Sequence, residues 1–137
     1  IRVEDNGRGM NADLVSRVAD PFVTTRATRQ VGLGLPFLKQ AAQMCNGLLT
    51  IDSAPTVGTT ITATFQHSHI DRMPLGDLPG TILSLIVGYP QTDFVYRHAV
   101  GDQQFGIDTR PIKAALGDVS LSDPKVIGYL KEALKEN

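Results

Sequence analysis

Little in this chain is extreme, and each shortage narrows the reading. There is one cysteine, Cys45, in 137 residues, so no internal disulfide can form. That fits a reducing, cytoplasmic setting. Neither sign of charge dominates: 13 Lys and Arg against 14 Asp and Glu leave a net charge of -1. Nothing global therefore points to nucleic acid or to an anionic membrane. No run approaches the roughly eighteen continuous apolar residues of a membrane span, and there is no signal-peptide pattern. A G-x-x-x-x-G-K phosphate loop is absent. So are internal repeats and low-complexity tracts. The chain opens at Ile1, in mid-pattern and without an initiator Met, which reads as a piece of a longer protein entered inside a strand. What is present, 42% hydrophobic residues and 20% charged, suits a soluble globular chain long enough to bury a core.

The stretch Val3-Glu4-Asp5-Asn6-Gly7-Arg8-Gly9-Met10 organises the rest. A short strand, Ile1 to Glu4, runs into a carboxylate and two glycines at alternate positions. Glycines there let a ligand approach bare backbone and permit positive φ. The carboxylate of Asp5 can accept a hydrogen bond from an amine. The run Gly7 to Ala12 also matches the loose dinucleotide form G-x-G-x-x-A, but its context fails. No parallel strand follows, and no acidic ribose partner sits about twenty residues on. A calcium loop would need oxygen ligands at alternate positions and a closing Glu, where this chain has Gly7, Gly9 and Leu14.

Asn11 can cap a helix with Leu14, Val15 and Val18 as its apolar positions, stopped near Ala19 or Asp20 by Pro21. Residues 22–31 have no periodicity. They carry Thr24, Thr25, Thr28, Arg26 and Arg29 and no acid, a polar loop suited to an anion. Gly32-Leu33-Gly34-Leu35-Pro36 then opens a helix, Pro36 falling in the first turn. Leu35, Leu38, Ala42 and Cys45 form its apolar stripe, with Phe37, Ala41 and Met44 beside it. Asn46-Gly47 ends it. Free N–H groups at such a helix start make a seat for phosphate. Leu48 to Asp52 and Thr59 to Phe65 read as strands joined by a turn from Ser53 to Gly58. In the second strand Ile61, Ala63 and Phe65 alternate with threonines.

After Phe65 the character changes. Gln66 to Gly76 reads as a polar connector, and Leu78 to Val87 as a helix that Gly80 weakens. A β-hairpin is expected over 93–108, turning at Val100-Gly101-Asp102. Thr109 can cap a short helix ending before Gly117, and Ser122 or Asp123 with Pro124 opens a last one striped by Val126, Ile127, Leu130 and Leu134. His67-x-His69 with Asp71 would share a strand face as metal ligands. No further Cys or His cluster supports that, so no metal site is assigned. Asp77, Asp93, Asp102 and Asp108 read as caps or turn residues, and Lys131 to Glu136 as a solvated helix face.

The series Asp5-x-Gly7-x-Gly9, Asp20-Pro21-Phe22-Val23-Thr24-Thr25-Arg26, Gly32-Leu33-Gly34-Leu35 and Gly58-Thr59 strongly resembles the ATP-binding domain of the GHKL superfamily. That superfamily groups sensor histidine kinases, DNA gyrase, Hsp90 and MutL, and the resemblance is to the histidine-kinase catalytic domain over residues 1–66. Each motif alone is weak; four in order at these spacings are specific. The resemblance implies an α/β (α+β) two-layer sandwich, a mixed, mainly antiparallel sheet with helices on one face. It implies ATP as ligand and partner. Asp5 would read the adenine amine, Gly7, Gly9 and Met10 would lie along the purine, and Thr59 would support its edge. Phe22, Thr25, Arg26 and Arg29 would belong to the lid region, and Gly32, Leu33, Gly34 and Leu35 would meet the phosphates. The family's Asn-bearing helix, which supplies the magnesium ligand and often the general base, precedes the first glycine box. No catalytic residue can thus be assigned here, and the fragment alone is expected to be inactive. The intact protein would transfer or hydrolyse the γ-phosphate. The alternative is a non-catalytic, ATP-switched regulatory or partner-binding module. Residues 67–137 are expected to form a small α+β extension, either an appendage packed on the sheet or a module that binds a protein partner. Self-association is expected to cover the open sheet edge.

Overall fold

The computed structural model describes residues 1–20 and 32–135. The chain divides into two compact units, Ile1–Pro74 and Leu75–Asn137.

In the first unit the strand before the glycine pair is β1, Arg2–Asp5. Helix α1, Ala12–Arg17, is capped as its sequence suggests: the Asn11 side chain accepts from the Leu14 N–H at 2.9 Å. Helix α2, Gly34–Met44, follows. It closes with the left-handed Asn46 (φ 54°). The Asn46 N–H bonds the Gln43 carbonyl and the Gly47 N–H bonds the Ala42 carbonyl at 2.9 Å, the paired arrangement that satisfies the last free carbonyls. Strands β2, Leu49–Ala54, and β3, Gly58–Ala63, complete a three-stranded sheet of order β1-β3-β2. Both pairings are antiparallel. The register lines up Asp5, Thr59 and Ser53 as one row across the three strands.

Helix α2 packs on β2 and β3, and α1 on β2. The apolar stripe of α2 is narrower than its sequence suggests. Ala42 and Cys45 are buried, while Phe37 and Met44 stand more than half exposed. β2 alternates between half-buried and exposed positions. β3, the middle strand, does not: Thr60, Ile61 and Thr62 are all partly covered, and Ala63 is buried. A central strand flanked on both sides shields its threonines too, so the expected contrast between its faces is blunted.

The second unit holds helix α3, Leu78–Gly88, the hairpin β4, Val95–Val100, and β5, Gln103–Asp108, then helices α4, Thr109–Leu116, and α5, Pro124–Lys135. The Asp77 carboxylate caps α3 by accepting from the Gly80 N–H at 2.9 Å, which offsets the weak helix propensity of Gly80. The hairpin turns at Gly101 (φ 57°). α4 is capped by Asp108 rather than Thr109: the Asp108 carboxylate accepts from the Arg110 N–H at 2.9 Å. Thr109 is buried instead, its hydroxyl accepting from the Phe94 N–H at 2.8 Å. The core is aliphatic. Ile86, Leu121, Val126 and Leu130 form it, with Phe94, Ile107, Ile112 and Leu116 packed around them. The described residues thus give a mixed α/β chain of antiparallel sheets and helices.

Candidate functional site

β1 delivers Asp5 to the end of the sheet, and the chain turns at once. The Gly7 N–H donates to Asp5 Oδ1 at 2.8 Å, closing an Asx turn that fixes the carboxylate. Its other oxygen, Oδ2, has no protein partner among the described residues. Two residues on, Gly9 sits at φ 65°, and a Cβ built there would lie 1.9 Å from the Ala54 carbonyl oxygen. No other residue type fits. The loop is pressed against the mouth of the β2–β3 hairpin and bonded to it. The Met10 N–H donates to Ser53 Oγ at 2.9 Å, and the Thr56 N–H donates to the Arg8 carbonyl at 2.8 Å. Gly58, at φ 126°, permits the reciprocal approach: a Cβ there would meet the Asp5 carbonyl oxygen at 2.0 Å.

The structure therefore brings Asp5, Gly7, Gly9, Met10 and Thr59 together. Thr59 is the register partner of Asp5 on the adjacent strand, and directly opposed residues present their side chains on the same face. Ser53 joins them, and sequence reasoning placed it in the turn and gave it no role. Its hydroxyl lies 2.9 Å from Thr59 Oγ1 and 2.8 Å from the Gly58 carbonyl oxygen. The signal that could have found it is its offset from Thr59 across a tight hairpin.

Gly32, Leu33, Gly34 and Leu35 form a second group, at the start of α2. Leu33 is the N-cap residue with φ −98°, and no side chain caps the helix among the described residues. The Phe37 N–H bonds the Leu33 carbonyl, and a Cβ on Gly34 would meet nothing within 4 Å. This helix start is open backbone, with N–H groups suited to an anion. It shares no hydrogen bond with the Asp5 group among the described residues. Phe22, Thr25, Arg26 and Arg29 lie outside the described residues.

The described residues contain no group of three His, Cys, Asp or Glu side chains that could hold a metal ion. The His67–His69 segment is instead tied to itself, with the Asp71 N–H donating to His69 Nδ1 at 3.2 Å. A depression of about 330 Å³ lies in the second unit, on the hairpin, lined by residues that include Arg97, Gln104, Gly106 and Asp108. Asp108 is committed there to structure. The Arg110 side chain bonds it, and the Arg110 backbone N–H adds to this, lowering its pKa to about 2. None of the described helices is long and apolar enough to cross a membrane.

A fixed carboxylate beside a hydroxyl at one end of the sheet and a glycine loop pressed against the neighbouring hairpin thus lie in an α/β unit of antiparallel strands and helices. The family model described as "Histidine kinase-, DNA gyrase B-, and HSP90-like ATPase" matches residues 1–69, and the chain belongs to that family. Among curated proteins the chain is similar to the heme sensor protein HssS of Staphylococcus saprophyticus, 34% identical over 65 residues, 47% of this chain and 14% of that protein. It is also similar to the signal transduction histidine-protein kinase AtoS of Escherichia coli, 37% identical over 62 residues, 45% of this chain and 10% of that one. A third relative is the osmosensing histidine protein kinase SLN1 of Saccharomyces cerevisiae, 34% identical over 83 residues, 57% and 7% of the two chains. The chain thus spans a small part of the length of the curated relatives it matches. No solved structure matches it.

Proposed function

We propose that residues 1–66 bind ATP and that the protein carrying them is a histidine-kinase-like signalling enzyme that transfers or hydrolyses the γ-phosphate. The observation that carries this reading is the row Asp5, Thr59, Ser53 behind a glycine loop that no Cβ could replace. Asp5 keeps one carboxylate oxygen for an exocyclic amine, which adenine offers and guanine does not offer at that place. Leaving that carboxylate unpaired against the wrong base would be costly. The α2 start, Gly32 to Leu35, takes the phosphates on backbone N–H groups. Phe22, Thr25, Arg26 and Arg29 are proposed to cover them, the arginines by charge-assisted bonds. Magnesium is assigned no residue of this chain; in this reading its ligand precedes Ile1. The setting is proposed to be cytoplasmic.

The test is a titration of the full-length protein with a fluorescent ATP analogue. Asp5→Asn is expected to weaken binding by at least about tenfold. Equal affinity of wild type and variant, or no binding by the wild type, overturns the reading. With γ-labelled ATP, label retained on protein supports phosphoryl transfer, and released phosphate supports hydrolysis.

Residues 67–137 are proposed as a partner-binding α+β extension. Self-association through β1 is proposed as well, because Val3 of this edge strand and Ile1 just before it are more than half exposed. A monodisperse monomer in size-exclusion chromatography with light scattering would contradict the second idea.

A further inference from the structure

The hydroxyl of Ser53 has one hydrogen to give and two lone pairs with which to accept. The Gly58 carbonyl oxygen, 2.8 Å away, has no hydrogen, so that contact is a bond only if Ser53 donates to it. The Met10 N–H fills one lone pair at 2.9 Å. The remaining contact, 2.9 Å to Thr59 Oγ1, then requires Thr59 to donate. All three capacities of Ser53 are used, and the only hydrogen on the Thr59 hydroxyl is spent inside the protein. Thr59 can offer the neighbouring site nothing but lone pairs. Asp5, its register partner, offers only acceptors as well.

We infer that Ser53 is a positioning residue that fixes the polarity of the purine-reading edge by holding Thr59 as an acceptor. This rests on the ATP reading and extends it to base selection. Two adjacent acceptors suit an amino group with two hydrogens and repel a 6-carbonyl. A bridging water keeps the bias against the carbonyl oxygen itself. A water that donates to Asp5 and to Thr59 has no hydrogen left for a carbonyl and must accept from the ligand. Without Ser53 as acceptor, the Thr59 hydroxyl turns outward, donates, and tolerates a carbonyl.

The experiment is calorimetric titration of the full-length protein with ATP and with inosine triphosphate, which has a carbonyl in place of the 6-amino group and a hydrogen on N1. Wild type is expected to prefer ATP by at least about tenfold. Ser53→Ala is expected to lower that preference about tenfold, chiefly by tightening inosine triphosphate. Ser53→Thr, which restores a hydroxyl, is expected to retain it. In a Thr59→Val background Ser53→Ala is expected to leave the preference unchanged, since the group it acts through is gone. Where Ser53→Ala does not fold, Ser53→Cys makes the same comparison with a poor acceptor. A uniform loss of affinity for both nucleotides, with the ratio intact, overturns the inference, as does a wild type that binds both equally. Those outcomes leave ATP binding standing. A wild type that binds neither nucleotide overturns the ATP reading, and this inference with it.

Discussion

The two units of this chain are held by different means. Among the described residues, the buried apolar side chains of Ile1–Pro74 are small: Ala42, Cys45 and Ala63. Those of Leu75–Asn137 are Ile86, Leu121, Val126, Leu130 and Leu134. Burial of a large aliphatic side chain contributes about 1.5–3 kcal/mol, and an alanine far less. The second unit is a packing structure with few chemical motifs. The first is a fitting structure, where positive-φ glycines and hydrogen bonds from loop to hairpin hold backbone in place. A segment that presses loop backbone against hairpin backbone leaves little room for bulky side chains, and its tolerance to change should differ accordingly.

The largest expected effect is in the second unit. Leu130→Ala should cost about 2–5 kcal/mol, because Leu130 is fully buried in the α5 seam. Chemical denaturation followed by tyrosine fluorescence will read it cleanly. The chain has no tryptophan, and its three tyrosines, Tyr89, Tyr96 and Tyr129, all lie in that unit. Next is a pair of glycines that sets the two modes of construction against each other. Gly9→Ala should destabilise the first unit by about 2–3 kcal/mol, given its φ of 65° and the Ala54 carbonyl in the way. Hydrogen exchange at Met10 and Thr56 would report the loosened loop. Gly128→Ala, inside α5 with nothing within 4 Å of the new Cβ, should stabilise by about 0.5–1 kcal/mol. If both glycine variants behaved alike, the contrast between units would fail.

The smallest expected effect is a pH dependence of the second unit. The Asp108 carboxyl, held by Arg110, has its pKa lowered to about 2 in the folded chain. An unfolded-state value near the ordinary 3.8 means that the unfolded chain binds the proton more readily. The contribution is present above about pH 4 and is lost as pH falls through about 2. The pair is partly exposed, so salt should weaken it. Asp108→Asn should flatten that part of the acid-denaturation curve, the variant being slightly less stable than wild type above about pH 4 and converging with it as pH falls through about 2.

Much of the fold was legible because each element carries its own punctuation. Asn11, Asn46-Gly47, Asp77 and Gly101 mark ends that the structure keeps. Gly9 and Gly58 were legible for the same reason, both standing at positive φ. What stayed hidden depended on distant neighbours. Ser53 looked like a turn residue, since only pairing with β3 makes it a strand residue with a bonded hydroxyl. Asp108 and Thr109 are both competent caps, and burial of Thr109 against Phe94 decides between them. Phe37 and Met44 followed the helical stripe, yet the surface α2 meets leaves them exposed.

The loop from Asn6 to Met10 owes its shape to a hairpin some forty residues away, through a bond spanning 43 positions from Met10 to Ser53. That has a consequence in time. The β2–β3 hairpin closes locally and quickly, whereas the loop can settle only once that hairpin exists to receive it. Contacts that form so late are expected to be largely absent at the folding barrier. A ligand that grips the loop would therefore slow the escape from the native state and leave the speed of reaching it almost untouched.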